Sequence, residues 1–402
     1  MKLKKITAFI LLLSVFLSLC SCSKGTVTKI TDGGFDPSVT SAHDKDAYTE
    51  FALKLVKSAA SERGKNAAVS AYSVISALAV LSNGAKGESL AQIEKATGCS
   101  AAALNAEALY LHNAAENEDG AEIKVSNSVF MKDGFDILEN AYTAGASVYS
   151  ATPGKNTVKF INNLCSENTN GEVKTVIDSF NDTELTVLST LLFDCSWNEI
   201  YEDKDVKTRK FKNYDGTVTE TQILCTKENI ITNDEYIGFN KKYKNEKYCF
   251  TVIMPKDENV DIYDFLESID KEKWERIYSD QKGVMVAVRF PEFSLACTAD
   301  TVRALEDLGI TDVFDKDKAD LSGMFTGGAY CSDIIQGSCV EINRKGTGVL
   351  DSELFKERGT EALPDYDLIF VDRPFIFAVT DETTLSPIYI GVIANMEEAI
   401  RK

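Results

Sequence analysis

Histidine is almost missing from this sequence: His43 and His112 are the only two in a chain of 402 residues. A Ser-His-Asp or Cys-His hydrolase needs a base held beside its nucleophile. His43 falls near the end of a polar N-terminal stretch and His112 follows an Ala-rich helical pattern, so neither has an evident oriented partner. Hydrolase chemistry is disfavoured on that ground, a His-rich metal site is nearly excluded, and no cofactor is expected. Positive charge is short as well. Against 62 Asp and Glu stand 43 Lys and Arg, a net charge of −19, and nucleic acid is a poor partner for such a chain because phosphate contacts need clustered Lys and Arg. The ten cysteines contain no C-x-x-C pair, which removes the spacing support for a zinc or thioredoxin-like site. "GTGVL" at 346–350 is followed by neither G-K-[ST] nor a helix start, so it does not read as a phosphate loop. No Pro- or Gly-rich linker divides residues 45–400 and no repeat period emerges. Carboxylate pairs abound, but in so acidic a chain a solvated surface accounts for them.

What is present begins with an address. "MKLKK" supplies positive charge, and Ala8 to Leu19 is an apolar run of signal-peptide length, too short to span a bilayer. It ends in "LCSC", with Leu19 three residues before Cys22 and Ser21 immediately before it. This resembles the bacterial lipobox, in which the Cys is acylated and becomes the new N-terminus; plain secretion is the alternative. Residues 1–21 are therefore expected to be a lipoprotein signal peptide. Residues 22–44, rich in Gly, Ser, Thr and Asp without periodicity, read as a flexible tether, and 45–402 as one domain on the outer face of a cell membrane. Eight cysteines remain in that domain, several in apolar runs such as "YCFTVIMP", where Cys acts as a small hydrophobe. An outward location permits disulfides without saying which.

Hydrophobic residues at 44% and charged residues at 26% fit a packed globular protein. Tyr48, Phe51, Ala52 and Leu55 recur at helical spacing. "AVSAYSVISALAVLSNGAKGESLAQIEKATG" holds two helical patterns broken at Asn83-Gly84 and ended by Gly98. "AEIKVSNSVFMK" alternates like a strand, and "LTVLSTLLFDCSW" and "KYCFTVIMP" are continuous apolar runs suited to strands covered on both faces. "PFIFAVTD" and "PIYIGVIAN" predict a C-terminal hairpin. Strands and helices do not alternate in a βαβ rhythm, so the fold class is α+β. Between strand-like "CVEI" and the apolar "YDLIF" lies "RKGTGVLDSELFKERGTEALPD", Arg344 to Asp365, polar and without helix caps, with a protease-sensitive Arg358-Gly359 in its middle.

The ordered set of segments resembles the serpins from about residue 46 to the C-terminus. "NAAVSAYSVISALAVLSNGAKGESLAQI", which carries Ser70 and Ser73, "INNLCSENTNGEVKTVI", "LLFDCSW" with Trp197, "RFPEFSL", "LGITDVFDKDKADLSGM", "CVEINRKGT" and "DRPFIFAVTDETTLSPIYIGVIAN" follow in the family's order. The resemblance implies three mostly antiparallel β-sheets, about eight to nine helices and an exposed reactive-centre loop. It further implies a monomeric inhibitor with no catalytic residue of its own, whose loop is cut by a serine or cysteine protease, traps it as an acyl-enzyme and enters the central sheet.

Several positions depart from the family pattern. Inhibitory hinges usually continue from Gly-Thr-Glu into several Ala; here Gly346 and Thr347 are followed by Gly348, Val349, Leu350, Asp351, Ser352 and Glu353. If Thr347 faces the buried side of the sheet, so do Val349, Asp351, Glu353 and Phe355, and an unpaired buried carboxylate costs several kcal/mol. Either the acids find partners, a bulge shifts the alternation, or insertion is slow and the protein is a poor trap that becomes a substrate; the alternative function is a non-inhibitory serpin-fold surface binding protein. Two charges usual in the family are reversed together as Glu292 and Arg344, which predicts an ion pair at the top of the sheet. Lower down, Ser189 and Gln336 replace the usual Asn and His, removing a titrating group. Counting forward from Gly346 puts the scissile bond at Thr360, and counting back from Pro374 puts it at Leu363. The region from Arg358 through Gly359, Thr360, Glu361 and Ala362 to Leu363 is the bait, with Arg358 suited to a trypsin-like pocket.

Overall fold

The computed structural model describes residues 24–400 except 115, 119–120, 139–141, 182–183, 298–299, 327 and 348–367. Cys22, hinge residues 348–353 and the bait region 358–363 therefore lie outside the described residues.

Eight helices occur among the described residues: α1 (Lys45–Ala59), α2 (Ala71–Gly84), α3 (Gly87–Thr97), α4 (Ala101–Asn113), α5 (Lys155–Asn168), α6 (Ile262–Glu267), α7 (Lys271–Ser279) and α8 (Thr301–Asp307). Their ends follow local chemistry. Asp44 caps α1 by accepting the Ala47 N–H, and Tyr48, Phe51, Ala52 and Leu55 form its buried stripe. Helix α3 stops where Gly98 takes φ +70°.

Among the described residues eighteen strands, numbered along the chain, make two ladders. The first runs β1 (Val27–Thr31), β5 (Ser147–Ala151), β4 (Ala121–Lys132), β6 (Leu185–Ser196), β15 (Gly346–Thr347), β14 (Cys339–Ile342), β12 (Phe293–Ala296), with β13 (Cys331–Gly337) also on β6 and β3 (Glu116–Glu118) on β4. The second runs β16 (Leu368–Phe370), β11 (Gln281–Pro291), β8 (Val218–Thr232), β9 (Tyr236–Lys242), β10 (Tyr248–Pro255), β17 (Phe375–Asp381), β18 (Pro387–Ile393), β2 (Ala67–Ser70), with β7 (Val206–Lys212) on β8. The 15-residue β8 pairs with β11 from Ile223 to Ile231, and also with β7 at residues 218–224 and with β9 at residues 229–232. It thereby joins the second and third of the expected sheets into one continuous ladder.

The two apolar runs became the strands their composition suggested. All eight residues of β10 are buried, and so are all but Asp194 of β6. One face of the first sheet meets α2 and the second ladder in the main core. The other meets α5, where Phe130, Tyr149, Ile161, Cys165 and Leu188 form a separate cluster. None of the eight domain cysteines is joined in a disulfide.

The expected tether requires correction from Lys24 onward. Val27 to Thr31 pair antiparallel with β5 at the edge of the first sheet, and Phe35 packs on the main core and meets the His112 ring at 5.4 Å. Composition suggested a loose segment, but "VTKIT" holds four β-branched residues in five, and these fit a pleated edge strand.

Candidate functional site at the parted first sheet

The first sheet changes partner along β6. Leu185 to Thr190 run beside β13, with Gln336 opposite Ser189. At the far end Cys195 and Ser196 pair instead with Thr347 and Gly346 of β15, whose other neighbour is Ile342 of β14. The sheet is closed below and parted above, and the first two hinge residues sit in the parting.

The chain is led into that slot by a turn with every backbone group engaged. Asn343 Oδ1 accepts the N–H groups of Lys345 (2.8 Å) and Gly346 (3.2 Å). The carbonyls of Asn343, Arg344 and Lys345 accept in turn from Trp197 Nε1 (2.9 Å), the Tyr201 N–H (2.9 Å) and the Trp197 N–H (2.8 Å). Trp197 is thus both a hydrogen-bond clamp and a wall. Its ring stacks on Tyr243 at 4.5 Å and 13°, and the Tyr243 hydroxyl bonds the hydroxyl of fully buried Thr347.

Behind the wall lies a buried ion pair. Lys241 Nζ is 2.6 Å from Glu228 and lies 5.2 and 5.4 Å from the ring centres of Trp197 and Tyr201. Burial opposes the lysine charge, but the Glu228 carboxylate and the Tyr201 hydroxyl outweigh it and hold its pKa above that of an ordinary lysine.

Glu292 and Arg344 meet. Glu292 Oε1 lies 3.4 Å from Arg344 Nε and accepts the Arg344 backbone N–H at 2.9 Å, while Arg344 Nη1 reaches Asp203 at 2.9 Å. The carboxylate therefore fixes the backbone of the hinge turn as well as pairing with the side chain.

Ser189 and Gln336 are opposite one another but do not share a hydrogen bond. Gln336 Oε1 accepts the Ser70 N–H at 3.1 Å, and its Nε2 donates to Thr301 Oγ1 at 3.0 Å. The Ser189 hydroxyl is buried with no hydrogen-bond partner among the described residues, as is that of Ser73 in the first turn of α2, and the buried hydroxyl of Ser338, between β13 and β14, lies beside Cys297 and Tyr389.

A family model, "Serpin (serine protease inhibitor)", matches residues 46–396. The chain belongs to the serpin family. Similar curated serpins include Serpin B6 of Macaca fascicularis, 24% identical over 377 residues and covering 86% of this chain and 97% of that one. The leukocyte elastase inhibitor of Bos taurus is 24% identical over 384 residues, covering 87% and 98%. Among solved structures, the thermophilic serpin tengpin in its native state matches with a TM-score of 0.83 at 25% identity, covering 92% of this chain and all of that one. The latent state of tengpin matches less closely, with a TM-score of 0.73 and 89% of this chain covered.

Within this serpin, His43 has the oriented partners that its neighbours in sequence lack. His43 Nδ1 is 2.6 Å from Glu107 and its Nε2 is 2.8 Å from Ser386 Oγ, with the ring stacked on Tyr110 at 4.7 Å. Residues distant in sequence supply the orienting partners that a linear reading could not supply. The Ser-His-Glu order is that of an acyl-transfer triad, but Ser386 is fully buried and His43 and Glu107 side chains are 7% and 6% exposed. The trio ties the N-terminal segment to the β17–β18 connection. Tyr243, Lys241 and Glu228 also escaped the sequence reading, since "NKKYKNEKY" gives no sign that a Tyr and a Lys within it reach the hinge.

Proposed function

We propose that this serpin inhibits extracellular serine or cysteine proteases as a suicide substrate. The protease nucleophile attacks a carbonyl in the 355–364 region, the amine of the following residue leaves, and the enzyme is held as an ester or thioester on the new C-terminus. The severed loop then enters the first sheet; serpin loop insertion is an established instance of strand addition that releases stored strain. The observation that carries the reading is the slot itself: Gly346 and Thr347 already sit between β6 and β14, above a stretch where β6 still pairs directly with β13. Inhibitor names among its relatives support it. The hinge acids favour a second reading, a non-inhibitory surface binding module, and the fold alone does not choose: thyroxine-binding globulin shares it with a TM-score of 0.74 at 17% identity.

Incubation with trypsin-, chymotrypsin- and subtilisin-like enzymes separates the two. An inhibitor gives a covalent adduct of summed mass on denaturing gels, with a cut between 355 and 364. Cleavage there without adduct favours the binding module. Acylation of Cys22 would fix the protein to the outer membrane face. Because Val27 is already in the sheet, only about 17 Å of extended chain would separate anchor from domain. Loss of labelled palmitate incorporation in Cys22→Ala checks the anchor, and retained incorporation contradicts it.

A further inference from the structure

Three buried serine hydroxyls, two of them without a hydrogen-bond partner among the described residues, lie along the line that an inserted loop would follow. An antiparallel strand that advances one residue moves one residue back along each neighbour. Thr347 faces Cys195 on β6 and Ile342 on β14. Continued downward, the β6 register sets Val349 opposite Phe193, Asp351 opposite Leu191, Glu353 opposite Ser189 and Phe355 opposite Val187. The β14 register, continued through Ser338 into β13, sets the same four residues opposite Val340, Ser338, Gln336 and Ile334.

The two registers are independent, and they agree. They bring Glu353 to Ser189 and Gln336, and Phe355 to Val187 and Ile334, which are already paired across β6 and β13. The incoming strand separates existing pairs without slipping either neighbour. Side-chain direction agrees as well. Thr347 points to Tyr243 in the main core, and Val187, Leu191, Phe193, Ile334 and Val340 belong to that same core. Every second loop residue therefore enters the core side.

The geometry points to two built sockets for the hinge acids: Asp351 is received by Ser338, and Glu353 by Ser189 and Ser73. Ser189 and Ser73 are 0% exposed, each with a hydroxyl proton free to donate, and Ser338, 1% exposed, places its hydroxyl beside that of Tyr389 and the Cys297 thiol. Tyr389, whose hydroxyl reaches the Leu191 carbonyl at 3.4 Å, stands beside the first socket. The second lies at the N-terminal turn of α2, where Ser70 is the cap and the helix dipole favours negative charge. Apolar positions of the loop meet apolar neighbours, and acidic positions meet buried hydroxyls. Asp351 and Glu353 thus match the sheet that must receive them, and an Ala-rich hinge would leave those hydroxyls unanswered.

This inference rests on the loop-insertion reading, and one experiment separates the two. The loop is cut with subtilisin, and the melting temperatures of intact and cleaved protein are compared for wild type, S189A/S338A, D351A/E353A and the fourfold variant. Insertion raises the wild-type melting temperature on cleavage. The sockets require that S189A/S338A lose roughly 5 °C of that gain, by removal of hydrogen bonds to charged groups, and that the same pair of substitutions remove nothing further in the D351A/E353A background. An equal gain in wild type and S189A/S338A overturns the sockets while leaving insertion intact. No gain in any variant overturns insertion and the sockets together. A synthetic peptide of residues 347–358 gives a second readout without protease. It should raise the melting temperature of intact wild type more than that of S189A/S338A, and equal shifts would again overturn the sockets.

Discussion

Glu292 and Arg344 allow a prediction in which the two halves of one ion pair have unequal weight. Their side chains are 19% and 36% exposed, and an ion pair at that exposure contributes about 0.5 kcal/mol. Glu292 does more than pair: the same Oε1 accepts the backbone N–H of Arg344 at 2.9 Å, at the start of the hinge turn. A half-buried hydrogen bond to a charged acceptor contributes about 1.5 kcal/mol more. Glu292→Ala should therefore cost about 2 kcal/mol, and Arg344→Ala about 0.5 kcal/mol because the backbone bond survives. Glu292→Gln keeps an acceptor and should fall between. The charge exchange E292K/R344E restores opposite signs but supplies no acceptor for the backbone N–H, so it should stay well below wild type. Urea unfolding of the five proteins measures these differences. Equal losses in the two Ala variants, or full recovery in the exchange, would show that Coulomb attraction alone matters and refute the backbone argument.

Further outcomes follow from single contacts. Tyr243→Phe leaves buried Thr347 without its hydroxyl partner and should cost about 1–2 kcal/mol, whereas Y243F/T347V removes both polar groups and should recover most of it; chemical unfolding checks both. Burial, with Glu122 opposite in register, pushes the Asp194 carboxyl up to about 6. Between about pH 4 and 6 the folded protein then holds a proton that the unfolded chain has released. Stability should fall across that window as pH rises, by about 1 kcal/mol after solvent screening, and Asp194→Asn should flatten the slope in unfolding curves. Gln336, which does not titrate, should contribute nothing to any pH dependence of sheet opening between pH 5 and 8; a pH-dependent polymerisation rate abolished in Gln336→Ala would contradict this. His43→Ala removes the ring from buried Glu107 and leaves the Asp44 N–H on its carboxylate, and should cost about 2 kcal/mol. A loss below 1 kcal/mol by thermal or chemical unfolding would show that the trio is not a tie.

Much of this fold was legible because its signals are local. The stripe of α1, the glycine that ends α3 and the apolar runs of β6 and β10 each carry their reason within a dozen residues. The slot was legible only by resemblance, since nothing in "NRKGT" says that its carbonyls will meet Trp197 and Tyr201. The pairing of Glu292 with Arg344 was suggested by two reversed charges, but the more consequential bond to the backbone was not, because backbone donors leave no mark in a sequence. The partners of His43 were illegible for a related reason: Glu107 and Ser386 lie 64 and 343 residues from it, so only the folded chain brings them together. The tether was misread because composition was weighed over 23 residues, whereas strand propensity was concentrated in five.

The central claim is that the parting between β6 and β14 is the entrance for the cleaved loop. Amide hydrogen exchange across residues 185–196 and 331–342, before and after the loop is cut, tests it most directly. The account predicts that protection rises in both segments on cleavage, as the amides of Leu191 to Asp194 facing the slot gain a strand partner. Unchanged exchange in both, with the loop cut, would mean that the slot does not receive it and that the inhibitory reading is wrong.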